Sequence, residues 1–149
     1  YAVFRFLHLA SGRSWFCLLD IQGGGTSVAY SHDGQCILTG SEDHTAILWN
    51  LQGEQIQQFK GHSDYVYSVA FSPDGQSLVT ASEDGTAILW NLQGQQIQQF
   101  KGHSASVTSI AFSPDGQSLV TGSEDETAIL WNALELHPPI ANDYMNPRT

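Results

Sequence analysis

The sequence is short of basic side chains. It carries 5 lysines and arginines against 15 aspartates and glutamates, which gives a formal net charge of −10 at pH 7. A protein that binds a phosphate backbone needs clustered Lys and Arg to release the condensed counterions, and the sequence holds no such cluster. The composition therefore argues against nucleic acid as a partner and mildly favours a basic or neutral one.

Cysteine and long apolar runs are also scarce. Cys17 and Cys36 are too few for a disulfide framework, so we expect free thiols, a reducing compartment and a cytoplasmic location. No run approaches the ~18 apolar residues of a membrane-spanning helix, so no membrane partner is expected. The apolar start YAVFRFLHLA is interrupted by Arg5 and His8 and does not fit a signal peptide. The initial Tyr1 favours a fragment or a processed product.

What the sequence does contain is an internal repeat. Trp49, Trp90 and Trp131 follow one another at intervals of 41 residues. The copies that begin at Gly53 and Gly94 are identical at 32 of 41 positions, which duplication explains and chance does not. The expected organisation is a decayed end of an earlier copy over 1–20, three copies over about 21–60, 61–101 and 102–134, and a non-repeat tail over 135–149.

Within one copy the pattern predicts β-structure. The segments YSVAFS, SLVTAS and TAILWN are short runs rich in Val, Ile, Thr and aromatic residues, as strands are. SPDGQ has Pro, Asp and Gly at turn positions, and EDGT contains the Asp-Gly of a tight hairpin. With QQIQQF as a fourth strand, each copy predicts a four-stranded antiparallel sheet, which is one blade of a β-propeller. The expected fold class is all-β, an incomplete and open arc of about three blades.

These residues resemble the WD-repeat β-propeller family. The resemblance rests on the order Gly61-His62, SPDG, SED and Ile-Leu-Trp, and it covers about 20–134. The segment SPDGQSLVTASEDGTAILWN is most similar to bacterial WD-repeat proteins. One departure is consistent: the family's Trp-Asp is Trp-Asn here, at Asn50, Asn91 and Asn132, and we expect that position to face outward with little consequence.

The resemblance implies a buried polar network in each blade. A buried indole N–H needs an acceptor, and a buried carboxylate needs donors. The implied members are His62, Thr80, Asp84 and Trp90 in the second copy, and His103, Thr121, Asp125 and Trp131 in the third. The first copy has Ile21 at the histidine position, so we expect Asp43 to be poorly tied and this blade to be the loosest.

The same residue types could be interpreted as a nucleophilic triad. However, the set repeats in adjacent copies and its hydroxyl lies in the middle of a predicted strand, not on an exposed elbow. A structural role is therefore favoured, and no catalytic residue or cofactor is expected. The PDG and EDG segments lack the spacing of a calcium loop, and His32 and His44 are isolated turn residues, so no metal site is expected.

The copies differ most at positions that the resemblance assigns to the top face of the propeller. Three and five residues after the histidine, Tyr65 and Tyr67 in one copy become Ser106 and Thr108 in the next. Conserved positions would build the blade while altered ones face a partner; neutral drift at exposed sites is the alternative. The predicted partner-binding residues on this face are Tyr65, Tyr67, Asp64, Glu83, Ser106, Thr108, Glu124, Thr26 and Glu42.

Three blades leave the ring open, because closed propellers have about 4–8 blades. The chain is therefore expected to be part of a longer propeller, to form a homo-oligomer that closes the ring with the strand around 15–19 completing a partner's last blade, or to lack a stable fold. The leading functional hypothesis is a scaffold that binds a protein or peptide, as the sensor part of a larger signalling protein. The alternatives are a structural fragment without a ligand and an enzyme on a propeller scaffold.

Overall fold

The computed structural model describes Leu19 and residues 21–132 of the 149-residue chain. This part of the chain holds eleven strands and no helix. The strands form three antiparallel sheets of four, four and three strands, each in simple sequence order. The expected fold class, an all-β open arc of propeller blades, is therefore confirmed. The predicted degenerate segment 1–20, apart from Leu19, and the predicted tail 135–149 lie outside the described residues.

Each sheet corresponds to one copy of the repeat. Blade 1 contains β1 (Gly25–Tyr30), β2 (Cys36–Ser41), β3 (Thr45–Asn50) and β4 (Gln55–Lys60). Blade 2 contains β5 (Val66–Phe71), β6 (Ser77–Ser82), β7 (Thr86–Asn91) and β8 (Gln96–Lys101). Blade 3 contains β9 (Val107–Phe112), β10 (Ser118–Ser123) and β11 (Ala128–Asn132).

The turns form where the sequence places Asp and Gly. In blade 2 the Asp74 carboxylate accepts hydrogen bonds from the Ser72 hydroxyl at 2.6 Å and the Gln76 amide at 2.9 Å. Gly75 then takes a φ of 70°, a left-handed conformation that glycine adopts without a steric penalty. Because the turn chemistry is local, it recurs in all three blades and sets the register of each first hairpin.

The hydrophobic core lies between neighbouring blades. Consecutive side chains of a strand point to opposite faces of the sheet, so Leu78 and Val79 of β6 enter different clusters. Leu78 packs in a cluster with Leu38 and Leu48 of blade 1. Val79 packs in a cluster with Leu119 of blade 3. Blade 2 is therefore covered on both faces.

The outer faces of blades 1 and 3 have no such cover within the described part of the chain. Val28 and Tyr30 on β1 are 70% and 68% exposed, whereas their counterparts in blade 2 are buried. In blade 3, Leu130 is 72% exposed and Val120 is 40% exposed, although their counterparts in blade 2 are fully buried. The outer side of blade 3 is thus exposed, and that of blade 1 is exposed at β1, although Ile47 and Trp49 on the same side of blade 1 are buried.

Candidate interaction surface

A continuous hydrogen-bonded network runs through blade 2. Trp90 Nε1 donates to the Thr80 hydroxyl oxygen at 2.9 Å. Thr80 Oγ1 lies 2.7 Å from His62 Nε2, and His62 Nδ1 lies 2.9 Å from an Asp84 carboxylate oxygen. The Asp84 carboxylate also accepts from the Thr86 hydroxyl at 2.6 Å and from a loop amide, that of residue 63, at 3.1 Å. The network ties the first loop of the blade to its second and third strands.

The charges of this network are set by burial and hydrogen bonding. Burial lowers the pKa of His62 below its usual value, against the opposing effect of the Asp84 carboxylate. Burial would raise the pKa of Asp84, but hydrogen bonds from Thr86 and His62 outweigh it and lower that pKa. A neutral His62 next to an ionised Asp84 assigns the proton to Nδ1, which donates to Asp84. Nε2 then accepts from the Thr80 hydroxyl.

Blade 3 repeats this geometry with greater exposure. His103 lies 2.8 Å from Asp125 and 2.7 Å from Thr121, and Trp131 Nε1 donates to Thr121 at 3.0 Å. A hydrogen bond from the Thr127 hydroxyl is the main cause that holds the pKa of Asp125 well below its usual range. The indole of blade 3 is only half-buried, in contrast to that of blade 2.

Blade 1 shows what the missing histidine changes. Trp49 Nε1 still donates to Thr39 at 2.9 Å. The Thr39 hydroxyl, without a histidine, donates weakly to the Ile47 carbonyl at 3.5 Å. Asp43 accepts from the amide and the hydroxyl of Thr45 at 2.9 and 2.6 Å, so its contacts stay within its own turn. That blade 1 is the loosest of the three remains a prediction.

The position of the network explains why it suits a structural role. Thr80 is completely buried in the middle of β6, so no substrate could reach its hydroxyl in this conformation. Its oxygen is already engaged by both Trp90 and His62. Among the described residues, no group of three or more His, Cys, Asp or Glu side chains could hold a metal ion. In the same part of the chain, no helix has the length and apolar character to cross a bilayer.

A second feature, a backbone hydrogen bond, is repeated along one edge of the arc. At this edge, the loop that enters each blade contacts the turn between the second and third strands of that blade. In each blade the amide of a glutamate donates to the carbonyl of the residue at the first variable loop position. The pairs are Glu42 to Gly24 at 3.1 Å, Glu83 to Tyr65 at 2.9 Å and Glu124 to Ser106 at 3.0 Å. This backbone frame holds a carboxylate beside the variable position in every blade, and we name this edge the top rim.

The two tyrosines of blade 2 lie side by side on the top rim. Their ring centroids are 6.4 Å apart, with an edge-to-face angle of 85°. The Tyr67 hydroxyl donates to a Glu83 carboxylate oxygen at 2.7 Å. That bond is the main cause that raises the pKa of Tyr67 to about 12, and the negative charges of Glu124 and Asp64 contribute. Tyr65, Tyr67, Asp64, Glu83 and Glu124 therefore belong to one electrostatic neighbourhood.

The remaining predicted residues have different surroundings. Thr26 donates its hydroxyl to the Val66 carbonyl across the boundary between blades 1 and 2, so that hydroxyl is engaged within the fold. Thr108 is exposed, and its hydroxyl donates to the carbonyl of residue 122 at 3.4 Å. Glu42 is exposed beside Gly24. Blades 1 and 3 therefore carry the rim carboxylate without a tyrosine at the variable loop positions.

The structure adds one member to this surface that was not among the predicted partner-binding residues. His44, in the turn after β2, lies with its ring 5.9 Å from that of Tyr65 in the next blade. It has a φ of 73°, which is uncommon for a residue other than glycine. The available signal was that this turn position differs in every copy, as His44, Gly85 and Glu126. We therefore define the top surface as His44, Asp64, Tyr65, Tyr67, Glu83 and Glu124.

Comparison with known families and proteins agrees with this architecture. The family model described as "WD domain, G-beta repeat" matches at 20–50, 53–91 and 94–132. The chain is 58% identical over 31 residues to a ribosome biogenesis protein WDR12 homolog from Trichoplax adhaerens, a match that covers 21% of the chain and 7% of that protein. It is 41% identical over 44 residues to the human dynein assembly factor with WD repeat domains 1, covering 29% and 11%.

The equivalent dynein assembly factor from Danio rerio is 39% identical over 44 residues, again covering 29% of the chain and 11% of the relative. The chain thus spans about a tenth or less of the length of these relatives. All three proteins come from eukaryotes. The expected similarity to bacterial WD-repeat proteins receives no support from them.

Proposed function

Because the chain belongs to the WD-repeat family, we propose that it is a protein-interaction scaffold whose top surface binds a protein or peptide. The observation that supports this most is the Tyr65–Tyr67 pair. These two aromatic side chains stand on a backbone frame that is the same in all three blades, so they are an addition to the blade and not part of its construction. Catalysis is not part of the proposal.

The tyrosines have the properties of interface anchors. Tyrosine offers a large contact area and a polar end, and it is enriched among residues that dominate binding energies. Tyr67 is held by its hydrogen bond to Glu83, and Tyr65 is flanked by the rings of His44 and Tyr67. Side chains that are already ordered lose less conformational entropy on binding, so this pair favours affinity more than two mobile side chains would.

The charge around the pair favours a basic partner. Asp64, Glu83 and Glu124 all act on the Tyr67 hydroxyl, and the whole chain carries a net charge of −10. Such a field attracts Lys- and Arg-bearing segments and repels acidic ones. A cation over a tyrosine face would gain a further contribution. The proposed ligand is therefore a basic or neutral segment of a protein.

The wider setting is proposed on resemblance alone. It includes a cytoplasmic location and a place as the sensor part of a larger signalling protein. The names of the relatives, a biogenesis protein and an assembly factor, agree with a scaffold role. Function cannot be carried over from fold without a site, so the partner has to be found by experiment.

The test is affinity capture from an extract of the source organism, followed by mass spectrometry. The wild-type chain is compared with the double variant Tyr65→Ala, Tyr67→Ala. The matched control is Ile56→Ala, Ile97→Ala, which removes two exposed apolar side chains from the outer strands β4 and β8. Circular dichroism and the urea midpoint establish that each variant is folded.

The proposal expects a partner that the tyrosine variant loses and the isoleucine variant keeps. Equal capture by all three chains would overturn the assignment of the top surface. If no specific partner is captured by the folded wild type, the alternative of a structural fragment without a ligand is favoured.

A further inference from the structure

We propose that the two open faces of the arc bind each other in a second copy of the chain, so that two chains close a six-bladed ring. We name the exposed apolar side of blade 1 the leading face and that of blade 3 the trailing face. This inference concerns surfaces separate from the top surface. The leading face consists of Val28, Tyr30 and Ile37, and the trailing face consists of Ala111, Val120, Ala128 and Leu130.

The leading face has a buried counterpart in blade 2. Val28 and Tyr30 stand where Val69 and Phe71 stand in that blade. Both of those residues are buried in the cluster that contains Leu38 of blade 1. The leading face is therefore equivalent to the face of blade 2 that blade 1 covers.

The trailing face is built the same way. Val120 and Leu130 stand where Val79 and Leu89 stand in blade 2. Those two residues are buried in one cluster, against which Ile110 of blade 3 packs. The residue type is the same at Val79 and Val120, and again at Leu89 and Leu130. The trailing face therefore has the same side chains as the face of blade 2 that packs against blade 3.

The correspondence between these exposed faces and the buried faces of blade 2 indicates which kind of surface would bind them. At both internal boundaries a trailing face packs on a leading face. In blade 1, Val28 and Tyr30 of the leading face are exposed, whereas Ile47 and Trp49 on the same side of the sheet are buried. In blade 3, Val120 and Leu130 of the trailing face are exposed. A groove of about 340 Å³ on the leading face offers space for apolar side chains; it is lined by Leu19, Val28, Ala29, Tyr30 and Ile37. The surface on this chain that matches the groove is its own trailing face.

The number of copies follows from the number of blades. A contact between two different faces of one chain type forms a ring when its rotation closes. Propellers have about 4–8 blades, and six is the only multiple of three blades in that range. Two equal contacts then form in one association event, so the second contact is intramolecular. The 17 residues after Asn132 contain none of the repeated segments.

The test begins with the mass of the wild-type chain in reducing buffer, by light scattering after size exclusion. The expected result is twice 16.3 kDa.

Leu130→Lys and Val28→Glu, on opposite faces, are each expected to lower the affinity of self-association at least about 100-fold, because each places a charge in both contacts of the ring. Ile97→Glu is the matched control, because it adds a charge at an exposed apolar position outside both faces, and it should remain dimeric.

Mixing the two variants separates ring closure from misfolding. In the mixed ring, one contact pairs the lysine introduced at position 130 of one chain with the glutamate introduced at position 28 of the other. The second contact is then wild type on both sides. Leu130→Lys and Val28→Glu should therefore be monomeric alone and form a dimer when mixed at equal concentration.

Three results would overturn the inference. A folded wild-type monomer would show that segments outside the described residues, or further blades of a longer polypeptide, cover the faces. A dimer that survives both face variants would place the contact elsewhere on the chain. Variants that stay monomeric when mixed would show that the two faces do not meet.

Discussion

Removing the Thr80 hydroxyl should destabilise the chain more than removing its counterpart in blade 1. Thr80→Val keeps the shape of the side chain but deprives Trp90 Nε1 of its acceptor and His62 Nε2 of its donor. Thr39→Val deprives only one aromatic group, Trp49 Nε1, because no histidine is present. Both threonines are essentially fully buried, so water cannot replace the hydroxyl at either site.

The magnitudes follow from the count of orphaned groups. A buried polar atom that loses its partner costs about 1–3 kcal/mol. Thr39→Val should therefore lower the free energy of unfolding by about 1–3 kcal/mol, and Thr80→Val by about 2–6 kcal/mol. The difference, about 1–3 kcal/mol, is the contribution of the bond to His62.

Urea denaturation followed by circular dichroism measures both losses, provided that all chains are compared at one protein concentration. A third variant, Thr121→Val, should lose less than Thr80→Val because the Trp131 indole is only half-buried and water can reach it. Equal losses for Thr39→Val and Thr80→Val would refute the reasoning, since the histidine would then add nothing to the network.

Three further predictions follow from the same contacts. Burial lowers the pKa of His62, so below about pH 6.5 the unfolded chain binds more protons than the folded chain. The urea midpoint should therefore fall as the pH falls below that value, and His62→Gln should make the midpoint depend less on pH. An absorbance titration should show one tyrosine with a pKa of about 12, absent in Tyr67→Phe and shifted toward 10 in Glu83→Gln; no change in either variant would contradict the hydrogen bond. Gly85 has a φ of 82°, so Gly85→Ala should lower the free energy of unfolding by about 1–2 kcal/mol, whereas Glu126→Gly, at the same turn of blade 3, should not lower it.

The fold could be predicted because its signals are local and repeated. The SPDG turn needs only the contacts among neighbouring residues such as Ser72 and Asp74, and the content of Val and Thr in SLVTAS is enough to predict a strand. The same strand pattern recurs three times at intervals of 41 residues, and this recurrence strengthens a strand signal that is weak in a single copy. The family resemblance supplied the arrangement of these sheets as blades.

The surface could be predicted only in part, because its contacts cross between blades. The variable positions indicated Tyr65 and Tyr67, but not that their rings pack edge to face or that Glu83 holds the Tyr67 hydroxyl. The approach of His44 to Tyr65 joins the turn of one blade to the loop of the next, and no pattern within a single copy encodes that distance. Likewise, the sequence did not indicate that the Thr26 hydroxyl would be engaged by a carbonyl of the next blade.

The central claim, that the top surface contacts a protein, is tested most directly by photo-crosslinking from defined positions. A photoreactive phenylalanine analogue replaces Tyr65 in one chain and Ile97, on the outer strand β8, in another. The account predicts that the probe at position 65 crosslinks one defined protein, which a Lys- and Arg-rich segment of that protein competes away, while the probe at position 97 does not. Equal crosslinking from both positions, or crosslinking from position 97 alone, would contradict it.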